Sequence, residues 1–369
     1  MFNFFKKPAI GLDISDYSIE ALELERKIGK PRLGAYSRVE LEKGIVEDGK
    51  ILNKEKLKEK IKELLQNTVP RRITTNQVTL SLPESKTFFH IFKFPINLSS
   101  KELTDVVENE ALKTIPLDPE SYYSDFQVVS RTKDIQEILY VGTSREIVEE
   151  YLGVLREAGL KPSVLDIESG SLARTFENEM IEDGGVLIAD IGGRITVLTV
   201  YDEGSIRFSA TIPIAGNHFT QAISEKLGIS IEKAEELKKK CGLDPEKKEG
   251  KVMLVLQNIL QDILGEIKKS INFYEEKSGR KIKKILLCGG SSFLPQLPSY
   301  INSNFGIETL VPDPWEGIDV EELFKREDLG EIIETKLHPV YFATVIGLAK
   351  RGLEKDLEKS GINLIPKGR

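Results

Sequence analysis

The sequence predicts a two-lobed α/β protein built on a duplicated strand–turn–strand unit. The chain has 369 residues, 40% of them hydrophobic, which is more than one compact core normally accommodates. "IGLDISDYSIEALEL" and "LIADIGGRITVLTVY" share one pattern: an apolar strand ending in Asp-Ile, a tight turn and a second apolar strand. Because these segments lie in the two halves of the chain, they indicate an internal duplication and two lobes that face each other.

Composition and charge exclude several classes of protein. A net charge of -7 and an isoelectric point near 5.4 argue against nucleic acid as a partner. Cys241 and Cys288 are far apart and form no ligand or redox motif, which favours a reducing, cytoplasmic setting. The chain start does not resemble a signal peptide, and no apolar run approaches the roughly 20 residues of a spanning helix. We therefore expect no direct membrane span, so that any membrane role requires a recruiting partner.

The first block of the chain predicts the order β-β-β-α-β. Residues 9–25 and 32–41 alternate apolar and polar positions, as half-buried strands do. "NKEKLKEKIKELLQN" places Leu57, Ile61, Leu64 and Leu65 on one helical face. The strand "QVTLSLP" then ends at a proline.

The residue pattern changes after this block and predicts an inserted β-α-β-β-α subdomain over residues 84–160. "FFHIFKFP" has the composition of a strand, and Ser99 and Glu102 have the spacing of a capping box at the start of a helix. Two further strand patterns lead to a helix closed by Gly159.

The second half repeats the opening of the chain and extends it. An apolar strand runs into Asp190 and a Gly-Gly turn, and two more strands follow. Helical spacing predicts helices over residues 217–227, 231–241 and 252–277. "KILLCGGSSFLP" then takes an apolar strand into two glycines, and "VYFATVIGLAKRGL" predicts a last helix.

The repeated turns have the chemistry of a nucleoside triphosphate site. Each places a carboxylate at a strand end, Asp13 in one half and Asp190 in the other. Backbone N–H groups of such turns converge on phosphate oxygens, and glycine allows a close approach. Two carboxylates can also hold Mg²⁺ through its waters. A single Asp-x-Gly hairpin is usually only a hairpin, but two at mirrored places with a third Gly-Gly turn favour a nucleotide site.

These motifs and the order of elements resemble the actin-like ATPase superfamily over nearly the whole chain. Residues 13–18 resemble its first phosphate loop, 190–196 its second and 288–295 its adenosine loop. Residues 166–173 and 340–349 resemble its two connecting helices. Within the superfamily the chain is most similar to the FtsA and PilM branch, and there to the PilM type IV pilus assembly proteins. The implied fold is an actin-like (ribonuclease H-like) two-lobed ATPase fold with the inserted subdomain described above.

The resemblance also implies subdomain boundaries and site residues. The boundaries are residues 1–83 with 161–182 (1A), 84–160 (1C), 183–214 with 283–350 (2A), 215–282 (a lid, 2B) and 351–369 (a tail). The residues implied for ATP are Asp13, Ser15, Asp16, Tyr17, Asp190, Gly192, Gly193, Gly216, Glu235, Lys238, Gly289, Gly290 and Ser291. Asp13 and Asp190 are the implied Mg²⁺ ligands, and Glu168 is the candidate to orient an attacking water.

The function implied by the resemblance is that of an ATP-binding scaffold in type IV pilus assembly. Such a scaffold would be cytoplasmic and peripheral to the inner membrane, docking the N-terminal tail of a PilN-like membrane protein. At most, weak ATPase activity is expected. The alternatives are an FtsA-like protein that tethers a division filament to the membrane, and a small-molecule kinase of the same fold.

The first phosphate loop departs from the family pattern of Asp-x-Gly followed by Ser or Thr. Here Ser15 replaces the glycine and Asp16 follows it. A non-glycine in a left-handed conformation costs on the order of 1–2 kcal/mol. Asp16 would also bring a carboxylate beside a phosphate, where like charges repel. The sequence therefore predicts a weakened loop in which Ser15→Gly and Asp16→Ser tighten ATP binding.

The segment "GINLIP", residues 361–366, is apolar and predicted to be extended because of its glycine and proline. It is either a terminal strand on its own domain or a ligand for a groove. The resemblance implies the second possibility, because PilN-like partners carry a similar Ile-Asn-Leu-Leu-Pro motif that docks between the first lobe and the inserted subdomain. We therefore expect Asn363 and Leu364 to occupy that groove in the same molecule or in a neighbour, with possible self-association.

Overall fold

The computed structural model describes residues 8–115, 118–180, 183–321, 339–358 and 360–366. It divides into two compact units, Met1–Thr175 with Pro314–Arg369 and Phe176–Asp313.

A mixed five-stranded sheet forms the centre of the first unit. The strands of this sheet are β1 (Ala9–Ile14), β2 (Ser18–Glu25), β3 (Arg32–Glu40), β6 (Gln77–Leu82) and β10 (Lys161–Ile167). A separate hairpin is formed by β4 (Val46–Glu47) and β5 (Lys50–Ile51). The inserted subdomain has the strands β7 (Thr87–Pro95), β8 (Tyr122–Arg131) and β9 (Ile135–Ser144). The helices are α1 (Lys54–Gln66), α2 (Ser100–Thr114), α3 (Arg145–Glu157) and α4 (Glu168–Thr175). The sheet order is β10-β6-β1-β2-β3, with β1, β2 and β3 antiparallel and β1, β6 and β10 parallel.

Local sequence accounts for most of these elements. The predicted face of α1 is buried at Leu57, Ile61 and Leu64, whereas Leu65 is only half-buried. The side chain of Asn53 caps the helix. The short β4–β5 hairpin was not predicted. Its two loop residues, Asp48 and Gly49, both have positive φ, as an Asp-Gly type I′ turn requires.

The inserted subdomain has the predicted order of elements. Its sheet runs β7-β9-β8, all antiparallel, and α2 begins at the predicted capping box of Ser99 and Glu102. Aromatic side chains of the sheet, among them Phe92 and Tyr140, pack with the buried face of α2.

The second unit repeats the sheet of the first. Its strands are β11 (Gly185–Ile191), β12 (Thr196–Asp202), β13 (Ser205–Ile212), β14 (Ile282–Cys288) and β15 (Glu308–Leu310). Its helices are α5 (Gly216–Leu227), α6 (Ile231–Cys241), α7 (Lys251–Ser278) and α8 (Leu297–Phe305). The order β13-β12-β11-β14-β15 has the same strand directions as the first sheet, which confirms the predicted duplication. Within the described ranges, no helix has the length and apolar character needed to cross a bilayer.

The last described helix, α9 (Ala343–Gly352), belongs to the first unit. It packs on α4 and on the first sheet through buried residues such as Val345, Ile346 and Ala349. The segment near Asp319 also contacts this unit, because its carbonyl accepts the N–H of Leu33 at 3.0 Å. This differs from the predicted assignment of residues 283–350 to the second lobe, since the apolar face of α9 is covered by the first sheet.

We predict opposite effects from two Gly→Ala substitutions in the first unit. At Gly11 a β-carbon would collide with the carbonyl oxygen of Val345 and the amide of Ala349, so α9 must shift. Gly11→Ala should therefore lower stability by about 1–3 kcal/mol. At Gly153, inside α3, nothing lies within 4 Å, and Gly153→Ala should add about 0.5–1 kcal/mol. Calorimetric melting checks both; a Gly11→Ala protein that melts at or above the parent would contradict the close packing of α9.

Candidate functional site

Asp13 lies at the end of β1 among polar groups from three neighbouring strands. The hydroxyl of Ser81 on β6 donates to Asp13 Oδ1 at 2.6 Å. Glu20 on β2 is paired with Asp13 across the antiparallel strands and is buried. Arg38 Nε on β3 donates to Glu20 Oε1 at 2.9 Å. The first loop therefore emerges beside two carboxylates, the buried Glu20 and the half-buried Asp13, with one adjacent guanidinium.

This carboxylate pair is strained electrostatically. Burial raises the pKa of Asp13 above its usual value, although hydrogen bonds from Ser81 and the backbone oppose the shift. Burial, and then the charge of Asp13, raise the pKa of Glu20 to about 8, while Arg38 opposes this. One of the two acids thus prefers to hold a proton near neutral pH.

Ser15 does not have the strain predicted for it. It is not among the residues with positive φ, so the expected left-handed penalty is absent and that part of the prediction was wrong. Its N–H donates to Ser18 O at 2.9 Å, and its hydroxyl oxygen accepts from the N–H groups of Tyr17 and Ser18 at 3.3 and 3.1 Å. Ser15 therefore closes the turn from inside, as serine often does.

Asp16 also has a role that the sequence did not reveal. Its two carboxylate oxygens accept the backbone N–H groups of Asp48 and Gly49, each at 3.1 Å. The carboxylate thus holds the β4–β5 hairpin in place. The sequence had suggested only that this carboxylate faces a phosphate, so its structural role was not predicted. Tyr17 beside it is 44% exposed, and its carbonyl accepts the N–H of Leu41 at 2.7 Å.

Glu168 lies in the same neighbourhood as the first loop. It is the first residue of α4, directly after β10. The buried Tyr151 of α3 donates its hydroxyl to Gly49 O at 3.1 Å. Burial raises the pKa of Tyr151, and the charges of Glu168, Asp13 and Asp16 raise it further, so the phenol lies within electrostatic range of these three acids.

A second acid, Glu84, stands at the start of α4. It is only 3% exposed, and its Oε2 accepts the N–H of Ser169 at 3.3 Å. A carboxylate at a helix N-terminus is stabilised by the free N–H groups and the helix dipole. Glu84 therefore fixes the first turn that carries Glu168.

The second loop has the same strand–turn–strand backbone as the first, but different side chains surround its aspartate. Asp190 lies near the end of β11, and its parallel neighbour on β14 is Cys288, where the first unit has Ser81 beside Asp13. Burial and then the charge of Asp190 raise the pKa of the Cys288 thiol, which is therefore protonated. Gly289 has φ +77°, and a β-carbon there would collide with the Asp190 carboxylate. Only glycine lets this backbone pass so close to the acid.

Two other predicted segments of the second unit converge on this loop. Gly192 O accepts from Gly216 N at 3.1 Å and from Ser291 Oγ at 3.1 Å, and Gly193 O accepts from Asn217 N at 2.8 Å. The structure thus brings the Gly192-Gly193 turn, the start of α5 and the turn after β14 together. Gly290 lies in that last turn, between Gly289 and Ser291.

Glu235 and Lys238 lie on one face of α6 and bind each other. Lys238 Nζ is 2.7 Å from Glu235 Oε2 and also donates to Gly216 O at 3.0 Å and to Thr220 Oγ1 at 2.8 Å. Burial raises the pKa of Glu235, but hydrogen bonds from Lys238 and Thr220 outweigh it and hold the pKa below its usual value. The pair joins α6 to the start of α5, beside the second loop.

The donor set fits Mg²⁺ held mainly by water and phosphate. In the described part of the chain, no three His, Cys, Asp or Glu side chains cluster as a protein-made metal cage would need. Mg²⁺ usually keeps several waters and takes only one or two protein carboxylates. Asp13 in the first unit and Asp190 in the second are each a single carboxylate next to a tight turn, and each has the chemistry to take one place in such a coordination sphere.

Sequence reasoning missed several residues of these sites, namely Glu20, Ser81, Glu84 and Thr220. Ser81 was detectable in principle, because a parallel strand beside β1 would place some residue of "QVTLSLP" next to Asp13. Thr220 could also have been noticed, because it lies four residues after Gly216 and therefore one helical turn beyond it on the same face of α5.

Comparison with known proteins adds family information to this geometry. The family model described as "Type IV pilus assembly protein PilM" matches residues 11–353. The solved "PilM-PilN type IV pilus biogenesis complex" is 25% identical and covers 94% of this chain and 98% of that chain, with a TM-score of 0.79. MreB 5 of Spiroplasma citri bound to AMPPNP is 18% identical over 90% of this chain and 98% of that chain, with a TM-score of 0.50. These similarities confirm the actin-like fold.

Curated relatives include the cell division protein FtsA. The Pseudomonas aeruginosa protein is 36% identical over 84 residues, which is 23% of this chain and 20% of that protein. The Buchnera aphidicola protein is 26% identical over 197 residues, which is 46% of this chain and 44% of that protein. The matched stretch therefore spans less than half the length of these FtsA proteins.

The acid pair of the first loop should make stability depend on pH. Because the pKa of Glu20 is about 8 in the folded state and 4.5 ordinarily, the folded protein keeps a proton that the unfolded chain releases between these values. The stabilising contribution is complete below about pH 4.5 and is lost as the pH rises through about 8. Glu20→Gln, which stays neutral, should therefore reduce the fall in melting temperature between about pH 6 and pH 8.5, measured with a metal chelator present. Equal slopes for parent and variant would show that Glu20 does not titrate there.

Proposed function

Because this chain belongs to the family of the type IV pilus assembly protein PilM, we propose that it is an ATP-binding scaffold of type IV pilus assembly. In this role it docks the cytoplasmic tail of a PilN-like inner-membrane protein and is thereby held at the cytoplasmic side of the membrane. The observation that carries this proposal is the match over 94% of the chain to the PilM-PilN complex, together with the family model.

Adenine nucleotide with Mg²⁺ is the proposed cofactor. The two Asp-ended turns and the passage of Gly289 beside Asp190 support it, because they provide carboxylates and closely approachable backbone. The AMPPNP complex of MreB 5 gives further support by fold similarity. Asp13 and Asp190 would hold Mg²⁺, and the Glu235–Lys238 pair would contact the nucleoside.

Hydrolysis is proposed to be slow, with Glu168 as the residue that orients water. Glu168 opens α4 and shares its surroundings with Asp13 and Asp16. The charge of these neighbours disfavours further negative charge at that point, which suits a nucleotide sensor better than a fast ATPase.

An FtsA-like tether is the second candidate, supported by the partial matches to FtsA proteins. It predicts direct attachment to lipid, whereas the scaffold requires a partner protein. Co-sedimentation with vesicles of anionic lipid separates the two: the scaffold should stay in the supernatant unless a PilN-like membrane protein is present.

We predict that Asp190→Ala abolishes the rise in melting temperature that Mg-ATP produces. At about 100 times its Kd, ATP should stabilise the parent by roughly 2.7 kcal/mol. The matched control is Asp262→Ala, because Asp262 is exposed on α7 in the same unit and should leave the shift unchanged. An undiminished shift in Asp190→Ala, or no shift in the parent, would refute the nucleotide assignment at this loop.

We also predict ATP turnover far below an ordinary enzyme rate of about 10 per second. Glu168→Gln should lower the residual rate about tenfold while keeping the thermal shift with ATP, since it changes the acid without removing the loops. Phosphate release measured on purified protein tests this, and turnover near the ordinary rate would disprove the slow-sensor proposal.

A further inference from the structure

The C-terminal segment of residues 360–366, here called the tail, is bound to its own first unit. It lies at β10, which is an edge strand of the five-stranded sheet, and at β8, which is an edge strand of the inserted subdomain. Edge strands have unpaired backbone groups that can accept an added strand. The tail therefore binds the backbone edge of β10 and a side chain of β8, which is the cis form of the placement expected from the sequence.

Asn363 makes the polar contacts of the tail on both sides. Its N–H donates to Asp125 Oδ2 on β8 at 2.9 Å, and its side-chain oxygen accepts the N–H of Leu165 on β10 at 3.1 Å. Leu364 N–H then donates to Leu165 O at 2.9 Å. Leu165 thus has both backbone groups satisfied by the tail, one of them by an amide side chain.

Apolar anchors flank this asparagine. Ile362 is 3% exposed and Leu364 is 1% exposed, whereas Ile365 is only half-buried. The strand edges therefore bind an apolar–Asn–apolar pattern. Ile365 is an apolar residue of the same segment that is less buried, so it serves as a control for the buried Ile362 and Leu364.

A buried guanidinium fixes the start of the tail. Arg351 of α9 has no exposed surface, donates to Gly361 O at 3.0 Å and also hydrogen-bonds to the hydroxyl of Ser360. Its Nε lies 3.8 Å from Asp166 Oδ2, one residue beyond Leu165 on β10. The Gly361 carbonyl and the Ser360 hydroxyl of the tail thus supply two hydrogen-bond partners of a buried charge.

We propose that the tail is an internally bound peptide ligand, and that a partner segment with the same apolar–Asn–apolar pattern enters the β10 and β8 edges by displacing it. The tail is then an autoinhibitory strand that sets how readily the partner binds. The identity of the partner as PilN-like depends on the proposed function; the displaceable binding of the tail does not.

The contacts define what an entering segment needs. It must be extended, because it pairs with strand edges, and it must present an oxygen acceptor to the Leu165 N–H. It must place an apolar side chain on each side of that acceptor. A carbonyl in the position of Gly361 O is also required, since Arg351 would otherwise lose a partner in a buried place.

The first test uses the chain's own tail as the probe. A fluorescent peptide of residues 360–366 is titrated into the full chain and into a chain that ends at residue 358, and binding is followed by anisotropy. The short chain should bind one peptide, and the full chain should bind it about 100-fold more weakly, because the tethered tail competes at high effective concentration.

Peptide variants test the contacts themselves. In the probe, Asn363→Leu keeps the shape but removes the acceptor and should weaken binding about tenfold. Leu364→Ala should weaken it about thirtyfold, and the matched truncation Ile365→Ala about threefold at most. Equal losses at the buried and the half-buried residue would contradict this binding mode.

A second design covers the case in which the short chain does not fold. A protease site inserted between Glu354 and Lys355, both exposed, lets the chain fold with its tail and be cut afterwards. The labelled peptide should exchange into the cut protein and not into the uncut one. Failure to exchange after cutting, or equal binding before and after, would overturn the inference.

The same samples separate this inference from the proposed function. If the cytoplasmic segment of a PilN-like protein competes with the labelled tail, both are supported. If a synthetic Ser-Gly-Ile-Asn-Leu-Leu-Pro peptide competes but the PilN-like segment does not, the self-ligand stands and the PilN-like assignment fails. If neither competes, the displacement is overturned, because the synthetic peptide differs from the tail only at the half-buried Ile365.

Discussion

The buried charge of Arg351 is the interaction on which the C-terminal side of the first unit depends. A guanidinium without solvent contact must find its partners within the protein, or its burial is very costly. Here α9 supplies the cation, β10 supplies Asp166, and the last residues of the chain supply a hydroxyl and carbonyl oxygens. Arg174 of α4 adds a second cation 3.2 Å from Asp166. One polar cluster therefore joins α9, the edge strand β10, the last turn of α4 and the tail.

The duplicated sheets show how one backbone can carry two different electrostatic environments. Both units place an aspartate at the end of a central strand next to a tight turn. In the first unit the cross-strand partner of that aspartate is another acid, Glu20, whereas in the second it is Val197. The first turn is closed by a serine hydroxyl and braced by Asp16, while the second is crowded by Gly289. The two turns are therefore related in topology but differ in the charge that surrounds them.

Sequence reasoning predicted those features that local pattern determines. The Asp-ended hairpins, the capping box of α2 and the duplicated sheet depend on residues close together in the chain. The conformation of Ser15 and the partners of Asp16 were not predictable in the same way, because Asp16 binds a hairpin 32 residues away. The place of α9 was also misassigned, since it depends on the close approach allowed by Gly11 in a distant strand. Glu84 and Ser81 were missed because only strand pairing brings them to the site.

The contacts of the tail also bear on how it can leave. Simple undocking would expose the N–H of Leu165 and remove hydrogen-bond acceptors from Arg351, in addition to exposing Ile362 and Leu364. Each of these changes costs free energy, and an incoming peptide that supplies the same groups would offset all of them together. Exchange of one peptide for another is therefore favoured over an open, empty edge. An extended edge strand left bare would also invite association with other strands. By this reasoning the tail both protects the edge and restricts it to segments that present an equivalent asparagine between two apolar residues.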